Sequence, residues 1–312
     1  MRRYHSILYI SHGTAEETEG LKQALSLANN NKASLRILVV CPEFPSEFPE
    51  YYKKYEESLI DQARSSINFT REALKLKDEE VDISIDLVSG SAPANKIIQQ
   101  VLQHDHDLVI KEAEPRDNSG GFLAIDMDLL RKCPCAVWLC RPIEHSRQAK
   151  VAVAIDPENQ EAATRTLSVR MLQLSRSVAD CYQAELHIIS CWDYEFEECL
   201  RGFGWSKLSD DEIAETVLMT KQANRATLED LIDTSKISGD YQIHHLRGQA
   251  DIVIPSFTQE NHIDILVMGT VARTGIPGFT IGNTAENIVQ KLSCSLMALK
   301  PRGFVSPVKA YR

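Results

Sequence analysis

The stretch GTVARTGIPGFTIGN, residues 269–283, directly follows the apolar run IDILVM and carries Gly269, Gly275 and Gly282. Glycine is costly in regular structure and useful where the backbone takes φ > 0 or approaches another group closely. Asn283, Thr284, Ala285 and Glu286 come next, followed by the apolar Ile288, Val289 and Leu292. Asn or Thr suits an N-cap, and Glu286 lies three residues after Asn283 as in a capping box, so a helix is expected to begin here. A helix start presents free N–H groups and the positive end of a dipole, a chemistry suited to phosphate. Gly282 would let a phosphate approach the main chain, Asn283 and Thr284 add side-chain donors, and Arg273 adds positive charge. The spacing fits neither the G-x4-G-K-[ST] phosphate loop nor the G-x-G-x2-G dinucleotide fingerprint. A long turn ahead of an ordinary capped helix accounts for the same glycines.

The other chemistry-bearing residues form no catalytic set, which would need a nucleophile with its base, a metal cluster or matched carboxylates. His244 and His245 are adjacent in YQIHHLRG, residues 241–248; neighbours on a strand face opposite ways and do not readily share a metal. The run HDHD, residues 104–107, reads as a polar helix-to-strand loop. The eight cysteines stand at 41, 133, 135, 140, 181, 191, 199 and 294. No secretory segment is legible at the N-terminus, so a disulfide framework is not expected. Cys133-Pro134-Cys135 lacks the C-x2-C spacing and second ligand pair of a zinc site. The thiols are read as structural, with no metal and no catalytic residue assigned.

These residues sit on a pattern written twice. Each half opens with an apolar strand, ILYISHG (7–13) and VAVAIDP (151–157). An amphipathic helix follows, marked by Leu21, Ala24, Leu25 and Ala28 in the first half and by Leu167, Met171, Leu174 and Val178 in the second. Second strands come at 33–41 and 184–192, long charged helices near 51–75 and 209–233, third strands at 82–90 and 241–248, and fourth strands at 106–111 and 263–268. The closing segments RKCPCAVWLCRP (131–142) and QKLSCSLMALKP (290–301) align with Cys135 over Cys294 and Pro142 over Pro301. The pattern predicts two α/β domains, 1–148 and 149–312, each a five-stranded doubly wound parallel sheet with helices on both faces. Ligands in such sheets bind at the carboxyl ends of the strands, where the glycine stretch begins.

Composition agrees with this architecture. A chain of 312 residues suits two domains, and 43% hydrophobic with 25% charged residues is an ordinary globular balance. A formal net charge of −10 argues against a general nucleic-acid binder. The apolar run near the N-terminus is broken at Ser11 and His12, too short for a membrane span, so a cytoplasmic protein without a membrane partner is expected.

Two α/β repeats, a strand-one Asp and a loop of form G-x2-G-x9-G-[ST] resemble the universal stress protein family, in particular its bacterial tandem-domain branch. Here the loop reads Gly269-Thr270-Val271-Ala272, nine residues, then Gly282-Asn283, with Ala272 replacing a glycine and Asn283 replacing Ser/Thr. In ATP-binding members the strand-one Asp and main-chain groups at the ends of strands one and two hold adenine, and the glycine loop holds ribose and phosphates. The resemblance therefore implicates Ala154, Asp156, Ile189, Met268, Gly269, Ala272, Arg273, Gly282, Asn283, Thr284 and Ala285, while Asp156 on its own reads equally as a turn or capping residue. In the first half His12 takes the Asp position, Lys111 and Glu112 stand over Met268 and Gly269, and no nucleotide is expected. His12 reads as a solvated turn residue.

The resemblance implies a stress-response protein that binds ATP or another adenine nucleotide in its second domain as a regulatory ligand, with at most slow ATP hydrolysis. The alternative is a protein that acts through protein contacts or holds another small molecule, apolar ones included. The family's last strands commonly pair across a two-fold axis, so an intrachain pseudo-dimer is implied, with a further homodimer left open. The loop 194–207, with Phe196, Phe203 and Trp205, either packs, covers a cavity or meets a partner.

Overall fold

The computed structural model describes residues 4–13, 19–77, 80–114, 120–143, 147–159, 161–202, 208–270 and 281–310. By packing, the described residues form two compact units, one of those up to residue 142 with 281 and 295–310, the other of those from 143 to 270 with 282–294.

The first unit holds β1 (Ser6–Ser11), α1 (Glu19–Asn31), β2 (Ser34–Cys41), α2 (Tyr52–Leu74), β3 (Ile83–Ser89), α3 (Pro93–His104), β4 (Leu108–Glu112), α4 (Ala124–Lys132) and β5 (Ala136–Cys140). Its strands pair in the order β3-β2-β1-β4-β5, all parallel. Central strands covered on both faces need unbroken apolar runs, and Ile7, Leu8, Tyr9 and Ile10 of β1 are all buried. On α1 the face formed by Leu21, Ala24, Leu25 and Ala28 is buried. The second unit holds β6 (Lys150–Ala154), α5 (Ala162–Tyr182), β7 (Glu185–Trp192), α6 (Glu197–Gly202), α7 (Asp210–Ser235), β8 (Gln242–Arg247), α8 (Ala250–Glu260), β9 (Ile265–Gly269) and α9 (Asn283–Val289). Its strands run parallel in the order β9-β6-β7-β8.

Each repeat thus contributes five strands, but the fifth strand of the second repeat, β10 (Ser295–Leu299), packs in the first unit. It pairs antiparallel with β5 through Leu296↔Leu139, Met297↔Trp138 and Ala298↔Val137. The two closing strands mate, as the family resemblance implied, and no apolar edge is left at β5.

Corresponding devices fix each sheet. Asp107, ahead of β4, accepts hydrogen bonds from the backbone N–H groups of His5 and Ser6 at 2.8 and 3.2 Å. Its equivalent Asp264 accepts from the Lys150 N–H at 2.8 Å and takes both guanidinium nitrogens of Arg147 at 2.8 and 2.9 Å. The stretch 194–207, expected to be a loop, contains α6; Glu197 on it pairs with Arg201 and Arg247. Phe196 is exposed, with its ring edge-on to Tyr194, and Phe203 and Trp205 lie outside the described residues. On α7 the Ser209–Glu212 capping box is complete.

Candidate functional site

In the second unit the carboxyl ends of β6, β7 and β9 lie side by side because the three strands are parallel neighbours. Ala154 ends β6, and the following Ile155 N–H donates to the Ile189 carbonyl at 2.9 Å, so that carbonyl is already engaged in the sheet. Asp156 Oδ1 accepts the Glu158 N–H at 3.1 Å, the turn role that its position alone allowed. Burial, with a contribution from the Asp156 charge, pushes the Cys191 thiol up to about 11. Met268 is buried near the end of β9. A Cβ on Gly269 would stand 3.2 Å from Leu167 Cδ2 and 3.7 Å from Met171 Sδ, so this glycine lets α5 pass close to the strand.

Thr270 O accepts the Gly282 N–H at 3.0 Å, which ties the start of α9 to the end of β9. Ala272 and Arg273, assigned to the site from the loop motif, lie outside the described residues. The N-cap of α9 is Gly282, not Asn283: its carbonyl accepts the Glu286 N–H at 2.8 Å and no side chain caps the helix. The capping-box expectation is therefore corrected, and Asn283 begins the helix itself. One residue of displacement leaves Asn283 and Thr284 exposed and Ala285 buried. The N–H groups of Asn283, Thr284 and Ala285 have no intrahelical acceptor. Gly282 has φ −71° and ψ 146°, open to any residue. Sequence reasoning missed two further groups: the hydroxyls of Ser190 on β7 and Thr270 after β9 are fully buried without a hydrogen-bond partner. Only the position of Thr270 directly behind Gly269 hinted at this.

The equivalent end of the first unit is filled by its own charges. Lys111 on β4 is fully buried, and its Nζ lies 3.0 Å from Asp126 Oδ1 and 2.9 Å from the Glu112 carbonyl. Glu114 approaches the same ammonium at 3.9 Å, and the Glu114 N–H donates to Asp126 Oδ2 at 3.2 Å. Glu112 Oε1 accepts the Gly20 N–H of α1 at 2.9 Å, placing a carboxylate at that helix start. Burial nonetheless raises the Glu112 pKa, against the pull of the Gly20 and Glu19 N–H groups. His12, expected as a solvated turn residue, is half-buried. Burial and then the Lys111 charge lower its pKa, because the ammonium beside it disfavours a second cation.

The universal stress protein family model matches residues 3–141 and again 149–300. The chain belongs to the universal stress protein family. It is similar to universal stress protein E of Photorhabdus laumondii, 25% identical over 317 residues that cover 99% of each chain. Universal stress protein E of Escherichia coli K12 is 25% identical over 328 residues, covering 99% of this chain and 98% of that one. Among solved structures, a protein of unknown function from Pseudomonas aeruginosa PAO1 shares the fold, with TM-score 0.72, 24% identity, and coverage of 96% and 94% of the two chains.

Aligning the two universal stress domains on each other gives the difference its meaning. Lys111 corresponds to Met268 and Asp126 to Ala285, so an opposite-charge pair in the first domain replaces an apolar pair in the second. Glu112 corresponds to Gly269. Three histidines of the second unit have defined side-chain contacts. His187 Nδ1 and His244 Nε2 are 2.9 Å apart with Phe257 packed against them, while His245 faces the other way to Asn224 Oδ1 at 2.9 Å. Among the described residues no group of three or more His, Cys, Asp or Glu side chains could hold a metal, and no helix is long and apolar enough to cross a membrane.

Proposed function

We propose that the second universal stress domain, residues 149–312, binds ATP or another adenine nucleotide as a regulatory ligand, and that the first, residues 1–148, does not. The carrying observation is the exchange of Lys111, Glu112 and Asp126 for Met268, Gly269 and Ala285 at equivalent positions. In the first domain a buried ammonium and carboxylates take up the ligand end of the sheet. In the second the same positions carry no charge. Met268 and Ala154 would border the base, and the exposed Asn283 and Thr284 with the N–H groups of Asn283–Ala285 would face phosphate. The unpartnered hydroxyls of Ser190 and Thr270 fit a site completed by a polar ligand, since buried polar groups are normally satisfied. Asp156 would meet the nucleotide from the turn it already shapes. Among the described residues no general base stands beside the phosphate, so in this reading the ligand would be held and read rather than turned over.

Calorimetric titration of the purified protein with ATP and ADP tests this, with native mass spectrometry reporting stoichiometry. One nucleotide per chain is expected. Gly282→Val should abolish binding, and the backbone there, with φ −71° and ψ 146°, is one that valine adopts without strain. A Gly282→Val protein that binds as tightly as the parent, or a parent unaffected by millimolar nucleotide, refutes the reading. Two bound nucleotides would refute the part about the first domain.

A further inference from the structure

The first unit contains a second chemical feature, away from the ligand end. Cys133 directly follows α4 and Cys135 directly precedes β5, and their sulfurs are in hydrogen-bond contact at 3.5 Å. Cys133 has an extended backbone, φ −69° and ψ 130°, and residues two apart in extended chain share a face. Pro134 between them fixes its own φ, so little chain freedom remains to be lost when the sulfurs join. Cys133 is fully buried, whereas residue Cys135 is partly exposed.

A buried cation sits at the end of α4, close enough to act on the two thiols through its charge. Lys300, directly after β10, is 6% exposed, donates to the Leu130 and Arg131 carbonyls at 2.8 and 3.4 Å, and lies 4.1 Å from the centre of the Phe304 ring. Burial lowers its pKa to about 8, opposed by the two cysteines. Burial works against ionisation of Cys133, but the hydrogen bonds from Cys135 and the Lys300 charge outweigh it and bring that thiol below its ordinary value. Cys135 goes well above, because it holds the shared proton. By contrast, burial raises Cys41, Cys140 and Cys191. A thiolate-prone sulfur in contact with a resolving thiol is the arrangement of a redox-active dithiol.

We propose that Cys133 and Cys135 are a redox modification site at which a hydroperoxide forms a reversible intrachain disulfide, with Lys300 stabilising the attacking thiolate. The Cys133 thiolate attacks one peroxide oxygen, the O–O bond breaks, and the departing hydroxide takes a solvent proton to become water. Cys135 then attacks the Cys133 sulfenic sulfur, the S–O bond breaks, and hydroxide leaves with the Cys135 proton as a second water. Two thiols are oxidised by two electrons and the hydroperoxide is reduced. A low-molecular-mass dithiol reverses the state by exchange, itself becoming the disulfide. The sulfurs need approach by only about 1.5 Å to reach a bonding distance.

The test treats the full reduced chain with hydrogen peroxide at pH 7, alkylates the remaining thiols in denaturant, and maps them by tandem mass spectrometry. The expected result is a Cys133–Cys135 segment lighter by two hydrogens and unalkylated at both positions, with Cys140 alkylated, and full reversal by dithiothreitol. Lys300→Met should slow disulfide formation. Each tenfold loss of thiolate is partly offset by a roughly threefold gain in nucleophilicity, leaving about a threefold slower rate per pKa unit that Cys133 recovers. Cys133 and Cys135 both alkylated while the exposed Cys181 is oxidised, or sulfinic acid without a disulfide, overturns the proposal. An unchanged rate in Lys300→Met removes Lys300 from it. The wild-type map decides the matter even if a variant fails to fold.

Discussion

Replacing Lys111 and Asp126 singly and together isolates the interaction that separates the two domains. Both side chains are fully buried and their charges are 3.0 Å apart. At an effective dielectric of about 20 that separation corresponds to about 5 kcal/mol of attraction. Removing one member leaves the other charge buried without its partner, which typically costs 3–5 kcal/mol. The two losses differ because the surroundings differ. In Asp126→Ala the ammonium keeps the Glu112 carbonyl at 2.9 Å and the Glu114 carboxylate at 3.9 Å, so about 3 kcal/mol is expected. In Lys111→Met the Asp126 carboxylate keeps only the Glu114 N–H among the contacts described here, so about 4 kcal/mol is expected. The double variant installs the second domain's own residue pair and should fall within about 2 kcal/mol of the parent, giving a coupling of about 5 kcal/mol. Urea unfolding would be followed through Trp138, buried on β5 beside β4, with Trp192 and Trp205 replaced by Phe. Additive single losses would refute the account, as would a double variant no better than Lys111→Met.

Two further outcomes follow from packing and protonation. Gly269→Ala pushes a methyl to 3.2 Å from Leu167 Cδ2, and should cost about 1–2 kcal/mol; Leu167→Ala in the same chain should recover part of the Gly269→Ala loss, and strictly additive melting shifts would show that the close passage of α5 is not the cause. His106, buried with its Nδ1 2.7 Å from Ser6 Oγ, has its pKa lowered from 6.5 to about 4, first by burial and then by Arg36 and His104. The unfolded chain therefore binds this proton at higher pH than the folded one, and stability is lost as pH falls from about 6.5 to about 4. The ~2.5 pKa units amount to about 3 kcal/mol, so the unfolding free energy of His106→Asn should fall less than the parent's between pH 7.5 and pH 4; parallel curves for the two proteins would contradict this.

The fold was legible because the apolar segments repeat in register over the whole chain. Leu167, Met171, Leu174 and Val178 predicted the face that α5 buries, and all four are buried. The helix ends were less legible, since α2, α3, α5 and α7 stop at Lys75, Asp105, Gln183 and Lys236 in left-handed conformation rather than at glycine. At the site, the neighbouring residues of α9 were found but its cap was displaced, because Gly-Asn-Thr offers three acceptable caps and only the Gly282–Glu286 hydrogen bond decides between them. The Lys111–Asp126 pair was hidden for another reason. A lysine ending the run LVIK looks like a strand leaving its sheet, and its partner is fifteen residues away across a loop. The available signal was in the repeat itself, where opposite charges stand at two positions that are both apolar in the second copy. Pairing of Cys133 with Cys135 depends on side-chain direction after α4, which spacing alone does not specify.

The placement of β10 has a consequence for how the molecule is made. During synthesis β5 leaves the ribosome with one side unpaired, and the strand that completes it comes after another 155 or so residues of chain, an interval that includes every other strand of the second repeat. The Lys300 contacts with Leu130 and Arg131 and that of Ser306 with the Lys132 carbonyl wait equally long. The early half therefore matures last, and it depends on the late half for its final apolar seam. Gene fragments cut between the repeats would each expose half of that seam, which makes the two copies a single inheritable piece.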